Sequence, residues 1–218
     1  IAKTGKKRFS LRKKLVLIFG FLIAAALTIA ALITVRNARK AVLEKVEAHL
    51  TDKATDIAEV IDGRISSVVQ FIEGLARMPF LRDNSMSLTE KAELLIKEAE
   101  RNKKIDYFGI CDMQGNRYDG AGLRMSVSDR EWFKAASQGK NFITEPAISS
   151  ITNNMQIIFA VPIYDDDNAI IGVLNAAVPA KLLSEEIDDI VVGQTGECYI
   201  LGLTGTAIAH KNFDAVTK

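Results

Sequence analysis

The stretch DREWFKAASQGK, residues 129–140, places Arg130, Trp132 and Phe133 within four positions. A guanidinium presents a planar fork of donors that matches a carboxylate, and an indole adds one N–H at the edge of an apolar plate. A hydrogen bond involving a charged group contributes about 1.5–3 kcal/mol, so two or three such bonds can select a small anion. The same residues also have a purely structural reading, with Trp132 and Phe133 in the core of a short helix and Arg130 as an ion-pair partner. Other chemistry is thinly represented. His49 and His210 are the only histidines and lie far apart, and no HExxH or CxxC spacing suggests a metal. GLTGTA, residues 202–207, lacks the lysine of a phosphate-binding loop, and no Gly-x-Ser-x-Gly elbow is present. The residues by themselves thus leave a small-anion site and a structural cluster both open, and they point to no catalysis, metal or cofactor.

The elements that must position this cluster begin with an unequal distribution of charge. Of 28 basic residues, seven fall within residues 1–14, where there is no acid. The remainder holds 21 basic against 27 acidic residues, a formal −6, which disfavours nucleic acid as a partner. Residues 15–35 follow without a single charge. At about 1.5 Å rise per residue, a helix of that length matches the ~30 Å hydrocarbon core of a bilayer. A signal peptide would carry a shorter apolar region and a small-residue cleavage site, which ITVRNARKA does not supply. A buried core helix would need polar punctuation that the run lacks. The positive-inside rule then keeps residues 1–14 in the cytoplasm and places the chain from Arg36 onward outside.

Beyond the apolar run, Ile57, Ile61, Ile65, Val68, Ile72 and Leu75 recur at spacings of three and four, one face of a long stalk helix. Pro79 and the polar run 83–87 end it, and a second amphipathic helix is predicted over 88–102, with Leu94, Leu95 and Ala99 inward and Thr89 as cap. IDYFGICD reads as a strand followed by a turn at Gly115, and residues 129–138 as a short helix closed by Gly139. NFITEPAIS suits an edge strand because Pro146 cannot donate to a ladder. MQIIFAVPIY and AIIGVLNAAV read as a hairpin joined by DDDN, and residues 179–190 as a connecting helix with Pro179 in its first turn. Cys111 and Cys198 read as two buried free thiols, with a disulfide as the alternative. The fold class is α+β.

The order of apolar helix, stalk, REWFKAASQGK, TEPAIS, IIFAVPIYDDDNAIIGVLNAAV and GQTGECYILGLTGTAIAH resembles the double Cache (dCache) extracytoplasmic sensors of bacterial methyl-accepting chemotaxis receptors. The resemblance implies PAS-like antiparallel-sheet lobes: a cytoplasmic basic tail at 1–14, a transmembrane helix at 15–35, stalk and connecting helices at 36–103, a membrane-distal, ligand-binding lobe at 104–190, and an incomplete membrane-proximal lobe at 191–218. It further implies a receptor in the bacterial inner membrane, a homodimer, and cytoplasmic signalling partners reached through a region outside this sequence. Histidine kinases and diguanylate cyclases use the same input module. A membrane-anchored interaction protein with a vestigial pocket is the remaining alternative.

Relatives of this kind that bind amino acids hold the ligand's carboxylate with an Arg-x-Trp-Tyr segment, and Arg130 and Trp132 match it. Phe133 stands where that segment has tyrosine. A further tyrosine of the pattern falls on Met125, with Tyr118 nearby in another register, and the aspartate that would hold an ammonium falls on Ala177. The ligand is thus an amine-free carboxylate, or an amino acid held by other acids such as Asp112 or Asp129. Thr144, Tyr164, Asn175, Tyr107 and Asp165 complete the set of candidate pocket residues, Asp165 with a solvated turn as its alternative, and His210 reads as a turn residue.

Overall fold

The structure, a computed structural model, describes residues 11–218 apart from residues 121, 123, 189, 193–195, 203, 204, 214, 215, 217 and 218. Most of the basic tail and the GQT that opens the last segment therefore lie outside the described residues. Helix α1 runs unbroken over Leu11–Ala76 and contains the whole apolar run. It is long and apolar enough to cross a membrane. The chain divides into two units, residues 1–59 and residues 60–218.

In the second unit the end of α1 is followed by α2 (Pro79–Arg82) and α3 (Leu88–Arg101). Ser87, not Thr89, caps α3. Its side chain accepts from the Glu90 N–H at 3.3 Å while the Glu90 carboxylate accepts from the Ser87 N–H at 2.7 Å, a reciprocal capping box. Serine three positions before a glutamate is the pattern that decides the start, and Thr89 lies already inside the first turn.

Strands β1 (Tyr107–Cys111), β2 (Asn116–Asp119), β3 (Arg124–Ser126), β4 (Phe142–Ile143), β5 (Ala147–Ile148), β6 (Met155–Tyr164) and β7 (Ile170–Pro179) form one seven-stranded sheet, with helix α4 (Glu131–Ala136) between β3 and β4. The order is β3-β2-β1-β7-β6-β4, with β5 also on β6, and every pairing is antiparallel. As expected, β6 and β7 are a hairpin. Asp165 Oδ1 accepts from the N–H groups of Asp167 and Ala169 to hold its turn, and Asn168 takes a left-handed φ of 64°. Asp165 is thus a turn residue, as its second reading had it.

Because side chains alternate across a sheet, β1, β6 and β7 each feed two cores. On one face Phe108, Ile110, Ile157, Phe159, Val161, Leu174 and Ala176 pack with Leu95 of α3 and with Ile72 and Leu75 of α1. Ile65 and Val68 also pack there, so most of the apolar stripe along the stalk helix is covered by the core of its own lobe. An apolar stripe at helical spacing looks the same in sequence whichever surface covers it. On the opposite face Cys111, Val127, Trp132, Phe133, Ala136, Ala160 and Val173 form a smaller core beneath α4.

The predicted helix over 179–190 shrinks to α5 (Lys181–Glu185). Pro179 belongs to β7, where it pairs with Gln156, so its ring sits at a strand end where no further ladder donor is needed. After residue 190 the described residues form two-stranded ribbons only, β8 (Val191–Val192) with β9 (Gly196–Glu197) and β10 (Tyr199–Leu201) with β11 (Ala207–His210). Among the described residues these two ribbons are what the expected second lobe shows. His210 N–H bonds to the Ser184 hydroxyl, and its Nδ1 accepts from the Asn212 N–H. Both cysteines are free thiols.

Candidate functional site

The face of the sheet that carries the smaller core also carries a cavity of about 220 Å³. Alternation sends Tyr107, Gly109 and Cys111 of β1, Arg117 and Asp119 of β2, and Asn175 of β7 to that side. The register places Asp119 opposite Gly109, and Gly109 opposite Asn175. Arg117 is buried, and its guanidinium lies over the Tyr107 ring, 5.2 Å from the centroid. Its Nη1 bonds to Asp119 Oδ2 at 3.2 Å and its Nε to Asn175 Oδ1 at 3.3 Å. Gly109 makes room for this arrangement: a Cβ there would stand 2.4 Å from Arg117 Nε and 2.6 Å from Asn175 Oδ1. The Cys111 thiol beneath is pushed up to about 12, chiefly by burial.

A second polar chain closes one side of the cavity. Asp106 accepts from Gln156 Nε2 at 2.6 Å, and Gln156 Oε1 accepts from the Tyr107 hydroxyl at 3.0 Å. Ser149, whose Oγ lies 3.4 Å from the same hydroxyl, accepts from the N–H groups of Ile151 and Thr152 and so ties the loop after β5 to the wall. Trp132, at the start of α4, is buried with its ring edge-on to Phe133, and it too lines the cavity. Arg130 stands just before α4 at the cavity margin, half exposed, with its Nε 3.8 Å from Asp129. Among the described residues, two arginines and no acidic residue line this cavity. Asp119 stands behind it, already held by Arg117.

Of the residues singled out from sequence, Arg130, Trp132, Thr144, Asn175 and Tyr107 line this one cavity. Thr144 Oγ1 accepts from the Ile158 N–H at 2.9 Å. Phe133 lies in the core under α4 and does not line it. Tyr118 is on the opposite face of the sheet, packed toward α3 with Arg124 over its ring at 5.0 Å, because its neighbours Arg117 and Asp119 take the cavity side. Met125, paired with Arg117, is the residue that reaches the cavity from β3. Tyr164 lines a separate, larger cavity of about 600 Å³ near Glu73, Arg77 and Arg82. Asn141 bonds to Glu73 there at 2.7 Å, and Arg82 pairs with Asp166 outside the lining while its buried Nε holds no hydrogen bond among the described residues. Asp112 is consumed by its own turn, accepting from the N–H groups of Gln114 and Asn116. Ala177 brings no charge to its face. Arg117, Gln156 and Ser149 were not anticipated; an arginine in a short strand beside a tyrosine gives no signal of burial.

An antiparallel sheet with helices on one face and a small polar cavity under a short helix on the other defines a PAS-like ligand-sensing lobe. Residues 34–218 match the Cache domain family, and the chain belongs to it. The ligand-binding domain of the Pseudomonas fluorescens chemoreceptor CtaA, solved with L-isoleucine, is similar, with a TM-score of 0.66 and 19% identity over 83% of this chain and 74% of that one. The same domain with L-serine gives 0.64 and 19%, covering 80% and 76%. The ligand-binding domain of the Campylobacter jejuni chemoreceptor Tlp3 with L-valine gives 0.60 and 14%, covering 79% and 75%. No curated protein matches the chain.

Proposed function

We propose that this chain is the extracytoplasmic sensing region of a bacterial transmembrane chemoreceptor. The cavity between Arg130 and Asn175 binds a small carboxylate without an amine. The observation that carries this reading is the lining itself, two arginines with no acid among the described residues. An ammonium group buried there would find no countercharge, and an unpaired buried charge is costly. A carboxylate instead meets Arg130, whose half-exposed position allows it to swing onto an entering ligand, with Trp132 as the apolar plate beside it. Amino acids are the second reading, favoured by the ligands of the CtaA and Tlp3 domains; the side-chain oxygens of Asn175 and Gln156 would then receive the ammonium.

Ligand energy biases signalling only through differential affinity for two states. Cavity and helix are linked by the sheet: β1 and β7 face the cavity with one set of side chains and Ile72 and Leu75 of α1 with the other. Residues 15–35 would anchor the receptor in the inner membrane, and a homodimer with cytoplasmic signalling partners would complete it. The test is a thermal-shift series on the full chain in nanodiscs with simple carboxylates, amino acids, amines and purines. Carboxylates should raise the melting temperature as their concentration passes Kd, and Arg130→Ala should abolish the shift. A shift from amines or purines alone, or one untouched by Arg130→Ala, would refute the assignment.

A further inference from the structure

Arg117 uses two of its three guanidinium nitrogens, Nη1 on Asp119 and Nε on Asn175. Its third, Nη2, is buried and holds no hydrogen bond among the described residues, although the side chain is 97% buried and lines the cavity. Buried donors are almost always satisfied, so one left unpaired on a residue that lines the cavity points to a partner that comes from the cavity. We infer that the ligand carries, besides the carboxylate held at Arg130, an uncharged oxygen to which Arg117 Nη2 donates a hydrogen bond. The favoured class is an oxo or hydroxy acid. This rests on the carboxylate reading of the same cavity.

Charge decides against a second carboxylate. The single positive charge of Arg117 is already met by Asp119 at 3.2 Å, and another anion beside that pair would face the Asp119 carboxylate in a site shielded from water. A carbonyl or hydroxyl oxygen accepts from Nη2 without that repulsion. Arg117 cannot turn away to find another partner, because Gly109 beneath it, Tyr107 above it and Asn175 beside it fix the plane of the guanidinium. An internal water is the competing occupant of Nη2.

The test is calorimetry on the full chain with five-carbon probes: pentanoate, 2-oxopentanoate, 4-oxopentanoate and pentanedioate. One of the two oxo acids should bind about 10- to 100-fold tighter than pentanoate, the range for a hydrogen bond from a charged donor, and pentanedioate should gain nothing. Arg117→Lys keeps a cation opposite Asp119 but lacks Nη2. It should cost the oxo acid more affinity than it costs pentanoate and so bring the two together, whereas Arg130→Ala should weaken every probe by a similar factor. Equal binding of pentanoate and both oxo acids would overturn the inference in favour of a bound water while leaving the carboxylate reading standing. So would a preference for pentanedioate, or an equal loss of all probes in Arg117→Lys. If no probe binds, the carboxylate reading falls and the inference with it. Should Arg117→Lys fail to fold, the probe series on the unmodified chain decides alone.

Discussion

Replacing Gly109 by alanine tests the cavity wall through a single methyl group. The new Cβ would stand 2.4 Å from Arg117 Nε, 2.7 Å from Arg117 Cζ and 2.6 Å from Asn175 Oδ1, all closer than atoms in contact. The guanidinium cannot retreat without breaking its bond to Asn175, because Tyr107 stacks on it and Asp119 holds Nη1. Overpacking a core costs about 1–3 kcal/mol. Losing a charge-assisted hydrogen bond adds roughly 1.5–3 kcal/mol. The lower entropy of an unfolded alanine returns about 0.4–1 kcal/mol. The net is a destabilisation of roughly 2–5 kcal/mol, and a domain of this size loses about 2–4 °C in melting temperature per kcal/mol. Calorimetry or circular dichroism of the full chain should show the lobe melting some 5–15 °C earlier. Carboxylate binding should weaken as well, since Arg117 is displaced into the cavity. A Gly109→Ala chain that melts with the parent and binds equally would show that Arg117 is not fixed as described.

The remaining predictions concern the supporting elements. Gly74 lies in α1 on an exposed position with nothing within 4 Å of an added Cβ, so Gly74→Ala should stabilise by about 0.5–1 kcal/mol and raise the melting temperature, a control for the Gly109 result. Ser87→Ala removes the cap of α3 and should cost about 1 kcal/mol in chemical denaturation. The hydrogen bonds from Ser87 hold the Glu90 carboxyl below its usual range. Because the folded value is depressed, Glu90 stabilises the fold above the ordinary carboxylate pKa, and this is lost as pH falls through the lowered folded value. A pH series of melts should show this acid-side loss shrinking in Glu90→Gln. With its thiol pushed up to about 12, Cys111 carries roughly one thiolate in 10⁴ at pH 8 and is also buried. Iodoacetamide should label it only after denaturant is added, and labelling of the folded chain at Cys111 would contradict its burial.

Much of the architecture is written in local pattern. The uncharged run 15–35, the turn at Gly115 with its φ of 81°, the closure of α4 near Gly139 and the β6–β7 hairpin all follow from residue type and spacing. Strand alternation also separates Cys111 and Val173 from Ile110 and Leu174 without any knowledge of the sheet order. The cluster Arg130 and Trp132 was legible because an arginine and a tryptophan two positions apart after a polar loop are chemically conspicuous. Thr89 offers the same hydroxyl as Ser87 two residues later, but only Ser87 has a glutamate three positions on, Ala92 standing there for Thr89, and that spacing marks the cap.

What the sequence could not decide was which surface each pattern meets. The stripe from Ile57 to Leu75 fits a partner helix and a sheet equally well. Ile72 and Leu75 pack against the chain's own strands because β6 and β7 present an apolar face there. Tyr118 and Arg117 are adjacent in sequence and opposite in space, since a strand with a period of two gives one of them to each core. That parity depends on the pairing of β2 with β1, a contact between separate segments, so no local window contains it. The same pairing gathers Asp119, Gly109 and Asn175 from three strands around one guanidinium. Local sequence thus determined the elements and the donor at the mouth of the cavity. The tertiary structure alone decided the buried donor, because burial and partnership are properties of the sheet and not of the residue.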